Sequence, residues 1–361
     1  MSDGNTTTRR AALGALVAAG TAGLARPALA KGLREWRMVT SWPKNLPGPG
    51  VSAERLAQTI GRLSDGRLTI RVYAAGELVP ALECFDAVAG GTAEMAHTAA
   101  LYWAGKMPAA PLYTSTPFGP TPLEHMSWVD HGGGQALWDE LYAPHGVKPF
   151  MAGNTGVSMA GWFRREITGL DDVAGLKIRI VGLGAEVWRR MGATPVALPP
   201  GEVFSAFQSG VVDAAELLAP ASDLAVGLHR VTKHYYGPGF DKPNGTGEAL
   251  VSLEALEGLP ADLRAIVAVA CREEHATALG QAEWTNAVAL EALTMQHGVE
   301  VRAMPQAVLS KARVIADDLL AELSARDALS ARIVTSLRAA KARSDLWAGA
   351  NLARLLAARV T

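Results

Sequence analysis

The sequence predicts an α/β protein of two lobes, because strand and helix patterns alternate along the chain and restart after a change in composition. Residues 68–72 alternate apolar with polar side chains, which is the period of a strand, and apolar residues at helical spacing precede them. Residues 148–162 carry almost no charge and have the extended character of a strand that crosses between lobes. Such alternation is typical of a mostly parallel sheet with helices on both faces.

The first half is predicted to contain three strands and two helices. Ser52 is the expected N-cap of the first helix, and Asp65-Gly66 is its expected end. The second helix is expected to end at Gly90-Gly91. In chain order the predicted elements are a strand at 35–41, a helix from 52 to 63, a strand at 68–72, a helix through 82–88 and a strand ending at 97.

The second half repeats the pattern with shorter segments. Residues 235–250 are rich in glycine and proline and are expected to carry the chain back to the first lobe. From Pro260 onward apolar residues recur at helical spacing, so the C-terminal third is predicted to be helical. The other predicted elements are strands at 176–180, 196–198 and 211–219 and helices at 184–191 and 203–208.

Composition excludes several classes of protein. The chain has 361 residues, of which 49% are hydrophobic and 19% charged, with a net charge of −1. It is long enough for one large or two medium cores, and it lacks the basic excess that a nucleic-acid binder needs. Cys84 and Cys271 are too few for a disulfide scaffold. We expect both to be buried free thiols, with a disulfide between them as the alternative.

The N-terminus is predicted to be an export signal over residues 1–30. Thr8-Arg9-Arg10 precedes an apolar run at 11–24, and Ala28-Leu29-Ala30 supplies a cleavage pattern. Paired arginines favour a twin-arginine signal, with an ordinary Sec signal as the alternative. The apolar run is too short to anchor the chain in a bilayer. We therefore expect a free periplasmic protein.

Two lobes joined by crossing strands predict a cleft that closes on a small ligand. Enzymatic motifs are incomplete: residues 182–187 begin like a dinucleotide fingerprint but place Val187 at its third glycine. Residues 156–160 lack the final glycine of a nucleophile elbow. The histidines have no metal-ligand spacing. Binding is favoured over catalysis, with a twin-arginine-exported oxidoreductase or hydrolase as the alternative.

Two charged residues stand out in apolar strand patterns. Arg179 lies near the carboxyl end of its predicted strand, where ligands of open sheets bind, and its guanidinium suits a carboxylate. The alternative is an arginine on a solvated face. Glu216 is the one charge in the run 214–219, so if buried it must be paired, hydrogen-bonded or bound to a cation. The alternative is an exposed strand edge.

Ordered sequence blocks resemble the substrate-binding proteins of TRAP transporters, the DctP-type family. These blocks are residues 65–70, 75–78, 153–156, 175–179 and 207–214. A second set resembles the branch that binds 2-oxo acids and related monocarboxylates, and it comprises residues 90–98, 117–119 and 137–142.

The resemblance implies a two-lobed periplasmic binding protein fold with crossing hinge strands and a long C-terminal helical region. It also implies capture of an organic carboxylate for a membrane permease and no catalysis; a receptor for a signalling partner is a further alternative. The expected division is lobe I at 31–150 plus about 245–285, lobe II at 151–244, and lobe-spanning and C-terminal helices at about 286–361. The apolar residues at 333–337 and 352–356 are expected to form a homodimer interface or to pack on the lobes of their own chain.

The resemblance also suggests which residues form the site. Arg179 occupies the sequence position of the family's carboxylate-binding arginine. Glu216 and the backbone of Leu217 occupy the positions at which the branch holds a sodium or calcium ion that bridges to the ligand. No covalent cofactor is expected. The full set of predicted ligand contacts is Arg179, Ser158, Asn154, Tyr102 and Lys242.

Three departures from the branch pattern bear on that cation. Ser158 replaces a glutamine and Leu217 a tryptophan, which leaves room for a ligand bulkier than pyruvate. Asp241-Lys242-Pro243-Asn244 replaces His-Glu-Pro-Gly, so the Lys242 ammonium would take the electrostatic role of the cation if it faces the cleft. If Lys242 points to solvent instead, a cation binds through Glu216 and the ligand.

Overall fold

A computed structural model describes Met1 and residues 32–359, so the rest of the predicted export signal at 1–30 lies outside the described residues. Eleven strands form two sheets in this part of the chain. The strands are β1 Arg34–Thr40, β2 Leu68–Tyr73, β3 Met95–Thr98, β4 Val147–Asn154, β5 Gly161–Phe163, β6 Lys177–Arg179, β7 Thr194–Val196, β8 Ala214–Ala215, β9 His234–Gly237, β10 Thr246–Ser252 and β11 Glu300–Ala303.

Twelve α-helices cover the two sheets in the described residues. They are α1 Pro49–Leu63, α2 Cys84–Ala89, α3 Pro122–His131, α4 Gly134–Tyr142, α5 Gly182–Arg190, α6 Val203–Ser209, α7 Pro220–Val226, α8 Leu253–Glu257, α9 Ala261–Met295, α10 Gln306–Ser324, α11 Ala328–Ala350 and α12 Leu352–Arg359. None of the helices in the described part is both long and apolar enough to cross a bilayer.

The first sheet has the strand order β2-β1-β3-β10-β4, and the second has the order β11-β9-β5-β8-β6-β7. In the first sheet β1 pairs in parallel with β2 and β3, whereas β10 is antiparallel to β3 and β4. In the second, β5 is antiparallel to both β8 and β9. The prediction of mostly parallel sheets is confirmed for the described residues, because β10 in the first sheet and β5 in the second are the strands that run against the others. Each of these two is the first strand that the chain forms after it crosses between the lobes.

Four segments of the described chain connect the two lobes, and one of them is α10, which packs Val308 in the second-lobe core and Leu323 in the first-lobe core. The chain leaves the first sheet at β4 and enters the second at β5, so the crossing predicted at 148–162 is confirmed. It returns from β9 to β10, as predicted for 235–250. The helix α9 packs Val267 in the core beneath the first sheet and Leu293 in the core of the second. The boundary predicted near residue 285, between lobe I and the lobe-spanning helices, falls inside this continuous helix.

Several local predictions are corrected. The helix α1 begins at Pro49, and Ser52 is buried within it, because the positive φ of Gly48 and the fixed φ of Pro49 start the helix earlier. In the run 211–219 only Ala214 and Ala215 pair as a strand, since the residues after them leave the sheet to line a pocket. The exposed strand β11 was not predicted because charged residues alternate along it without an apolar core face.

The cysteines and the helix α11 pack on the chain's own cores. Cys84 and Cys271 are buried in different clusters and both are free, so the prediction of buried free thiols is confirmed. Ile333, Val334 and Leu337 of α11 are buried in the first-lobe core. The residues of α12, by contrast, are exposed.

A buried carboxyl group lies in the first sheet beneath the helices. Glu248 of β10 is 1% exposed, and it accepts hydrogen bonds from Trp103 Nε1 at 2.6 Å and the Tyr142 hydroxyl at 3.1 Å. Burial raises the pKa of Glu248 to about 8, although both hydrogen bonds oppose the shift. The folded protein therefore holds a proton that the unfolded chain, with an ordinary glutamate pKa of about 4.3, releases.

We expect this proton to make stability depend on pH. The contribution is fully present below the unfolded pKa of about 4.3 and is lost as pH rises through the folded pKa of about 8. Glu248→Gln should flatten the fall in Tm between about pH 5.5 and 8.5, measured by differential scanning fluorimetry. Glu257→Gln, at an exposed glutamate, should keep the wild-type slope. Parallel Tm profiles for Glu248→Gln and wild type would contradict this assignment.

Candidate ligand-binding site

A pocket lies where the two sheets face each other. The carboxyl ends of β1, β3 and β4 contribute from the first lobe, and those of β6 and β8 from the second, which is the edge where open sheets bind ligands. Its lining includes Trp42, His97, Leu101, Tyr102, Asn154, Arg179, Val181, Leu217, Leu218, Lys242 and Thr246. The walls are largely apolar, and Arg179 and Lys242 are the charged side chains among these lining residues.

Arg179 ends β6, and backbone oxygens fix its guanidinium group. Nε and Nη2 donate to Leu198 O at 3.0 and 2.7 Å, and Nη1 donates to Glu216 O at 2.6 Å. The side chain is 1% exposed. A guanidinium has five N–H donors, so these three bonds do not exhaust its capacity to bind a partner in the pocket. The alternative of a solvated arginine is wrong.

Glu216 follows β8 directly and is fully buried, so the alternative of an exposed strand edge is wrong. Its Oε2 lies 3.7 Å from Arg179 Nη1, and its Oε1 forms an ion pair with the Lys242 ammonium. Neither carboxylate oxygen receives a well-directed hydrogen bond from the described residues. The charge of Glu216 is therefore compensated, while its oxygens keep capacity to accept another donor.

Lys242 lies on the segment that returns from β9 to β10, and it faces the pocket. It is 6% exposed, and its Nζ donates to Leu217 O at 2.6 Å in addition to its ion pair with Glu216. The alternative in which Lys242 points to solvent is wrong. One ammonium thus contacts both groups that the sequence resemblance assigned to a cation.

Two further titratable groups flank the charged residues. Burial raises the pKa of Tyr102 to about 12, although the Arg179 charge opposes the shift, so the phenol is a neutral donor in the pocket wall. Burial and the charge of Glu216 raise the pKa of Asp241 to about 7. Asp241 Oδ2 accepts a hydrogen bond from Trp188 Nε1 at 2.7 Å.

Two of the predicted ligand contacts remain. Asn154 is already hydrogen-bonded within the protein, and Ser158 lies outside the pocket lining. Asn154 lines the pocket, but its Nδ2 lies 3.0 Å from Asn244 Oδ1 and its Oδ1 accepts from Gly156 N at 2.8 Å. These bonds hold the crossing segments together. Ser158 is 1% exposed and is absent from the described pocket lining, because it lies against Gly239 on the other crossing segment.

Trp42 and His97 line the pocket and were not predicted as site residues. Trp42 Nε1 donates to His97 Nδ1 at 2.8 Å, which leaves Nε2 of the ring to donate to Ala152 O at 2.7 Å. Burial lowers the pKa of His97 to about 4, so the imidazole is neutral. Their position at the carboxyl ends of β1 and β3 is the sequence signal that could have identified them.

Two lobes joined by crossing strands and a shared helix, with buried cationic groups in a cleft at the strand ends, define a two-lobed solute-binding protein. The sequence profile of the DctP family, bacterial extracellular solute-binding proteins of family 7, matches residues 39–327. The chain belongs to this family. This membership supports binding and transport and gives no support to an oxidoreductase or hydrolase.

Individual relatives are similar over most of their length. A monocarboxylate 2-oxoacid-binding periplasmic protein of Nostoc is 38% identical, over 88% of this chain and 86% of the relative. A TRAP periplasmic solute-binding protein of Pseudoalteromonas atlantica, solved with bound sodium and pyruvate, has a TM-score of 0.87 and 36% identity, over 90% of this chain and 98% of that one. A Bordetella bronchiseptica TRAP protein, solved as a mixed-occupancy dimer with calcium and picolinate, has a TM-score of 0.88 and 32% identity, over 91% and 99%.

Proposed function

We propose that this protein is the periplasmic receptor of a TRAP-type transporter and that it captures a monocarboxylate, of the 2-oxo acid class, for a membrane permease. The observation that carries the proposal is the buried guanidinium of Arg179, which lines the pocket and is held in place by backbone oxygens. A carboxylate accepts two parallel hydrogen bonds from such a fork. The names of the Nostoc and Pseudoalteromonas relatives support the ligand class.

The charges of the site support a monoanion. Arg179 and Lys242 carry two positive charges against the single negative charge of Glu216, when Asp241 is protonated. One carboxylate then neutralises the buried site, whereas a dicarboxylate would leave a negative charge without a partner. The apolar remainder of the lining suits the hydrocarbon part of the ligand.

Capture by closure of the lobes follows from the connections between them. Few segments cross between the lobes, so a small change in their backbone angles would open the cleft to solvent. Residues 1–30 are proposed to direct export to the periplasm by the twin-arginine route.

A second copy of the chain is proposed to pack on the C-terminal helices. Leu346 and Trp347 at the end of α11 are 79% and 67% exposed, and Leu355 of α12 is 55% exposed. Large apolar side chains exposed on neighbouring helices are typical of interaction sites. The dimer recorded for the Bordetella relative supports this proposal.

Binding of carboxylates tests the proposed function. Pyruvate and longer or branched 2-oxo acids should raise the Tm of the mature protein, whereas dicarboxylates of similar size should not. Because Leu217 is smaller than the tryptophan of the branch pattern, we expect that a longer 2-oxo acid stabilises at least as well as pyruvate. Fluorimetry over this panel makes the measurement, and a panel in which no carboxylate shifts the Tm would refute the proposal.

Arg179→Lys should weaken binding of the best ligand by roughly 10-fold or more, because a hydrogen bond from a charged group contributes about 1.5 to 3 kcal/mol. Lysine keeps the charge but cannot supply the two-pronged fork. Isothermal titration calorimetry gives the Kd, and Arg165→Lys, at an exposed arginine, is the matched control. Equal affinities for Arg179→Lys and wild type would rule out Arg179 as the carboxylate contact.

Dimerisation is tested by sedimentation velocity over a range of protein concentrations. Wild-type protein should sediment increasingly as a dimer, and Leu355→Glu should remain a monomer because a charge then occupies the apolar surface. Arg354→Gln, on the same exposed helix, should behave as wild type. A wild-type protein that stays monomeric at about 100 μM would refute the proposal.

A further inference from the structure

The family relationship implies a cation at this site, and the residues present do not fit one. The oxygens that would hold a cation are the carboxylate of Glu216 and the backbone carbonyl of Leu217. Lys242 Nζ donates to Leu217 O at 2.6 Å and forms an ion pair with Glu216 Oε1. The two oxygens are therefore already engaged by one ammonium group.

The chemistry of the lysine opposes a second cation at the same place. Calcium takes about six to eight oxygen ligands, and an ammonium group offers hydrogen donors and no acceptor. Lys242 also brings a fixed positive charge to a buried site, where like charges repel more strongly than in water. A cation would have to displace Lys242 from both of its partners.

The ammonium can also perform the task of a bridging cation. It has three N–H donors, of which one is bound to Leu217 O, and its charge is paired with Glu216. Lys242 lines the pocket, so its ammonium keeps donor capacity for an anionic or carbonyl oxygen of a ligand. Arg179 approaches the same pocket from β6, so the two cationic side chains can engage one ligand together.

We propose that the protein binds its carboxylate without a metal ion, and that Lys242 is the ligand contact that replaces the bridging cation. This inference rests on the proposed function, because it concerns how a carboxylate is held. It predicts that ligand affinity is independent of sodium and calcium, in contrast to a site in which the ion completes the ligand contacts.

The first test uses wild-type mature protein and pyruvate, or the best ligand of the panel. Isothermal titration calorimetry is performed in choline chloride with EDTA, in sodium chloride, and with added calcium chloride. The Kd should agree within about 2-fold across the three buffers, and metal analysis of the ligand-bound protein should find far less than one calcium per chain. A Kd weakened at least 10-fold without sodium and calcium, or one calcium per chain, would overturn the proposal.

The second test removes the ammonium. Lys242→Gln supplies an amide oxygen, so its affinity should fall at least 10-fold in choline chloride with EDTA and recover when calcium is added. Lys177→Gln, at an exposed lysine of the same lobe, should match wild type in every buffer. If Lys242→Gln binds as tightly as wild type without metal, Lys242 is not the contact. Should this variant fail to fold, the wild-type titrations still decide.

A third measurement separates failure of this inference from failure of the proposed function. Calcium chloride alone, without any carboxylate, should leave the wild-type Tm unchanged within about 1 °C. A rise of several degrees means that a cation site exists beside Lys242 and overturns the inference, whichever ligand is bound. If no carboxylate binds in any buffer while calcium has no effect, the proposed function fails and the exclusion of a cation stands.

Discussion

The burial of Glu216 is the constraint on which the site depends. A buried carboxylate without partners is strongly unfavourable, so its position requires cationic groups beside it. Arg179 reaches it from β6 and Lys242 from the segment between β9 and β10. The Lys242 contact has a structural consequence, because it ties a crossing segment to the residues that follow β8. The charge cluster thus holds both the pocket wall and one connection between the lobes.

The two-sheet architecture explains why this cluster faces a cleft. In each sheet the strands that carry site residues end at the same edge, and the crossing segments bring the two edges together. Asn154, at the end of β4, reinforces the crossing through hydrogen bonds to Asn244 and Thr246. The polar residues near the cleft therefore divide into those that stabilise the connections and those that keep donors free for a ligand.

The sequence predicted the features that depend on local pattern. Alternating apolar residues identified the main strands. Single charges in apolar runs identified Arg179, which lines the pocket, and Glu216, which is buried beside it. Features that depend on tertiary contacts could not be predicted from the sequence. Neither the engagement of Asn154 by the returning segment nor the displacement of Ser158 from the lining follows from spacing. In the sequence Lys242 stood out only as a departure from a family pattern. Its contacts in the structure show that the side chain faces the pocket.

A tethered ammonium and a diffusible cation solve the same electrostatic problem with different consequences. The covalent tether fixes the local concentration of positive charge, so the site does not depend on the ionic composition of its surroundings. The ammonium provides directed hydrogen bonds, whereas a metal accepts several oxygens at once from variable directions. With its ammonium bound to Leu217 O and paired with Glu216, Lys242 has little freedom to turn toward a ligand. Discrimination among carboxylates should therefore depend on where a single oxygen lies relative to the group held by Arg179.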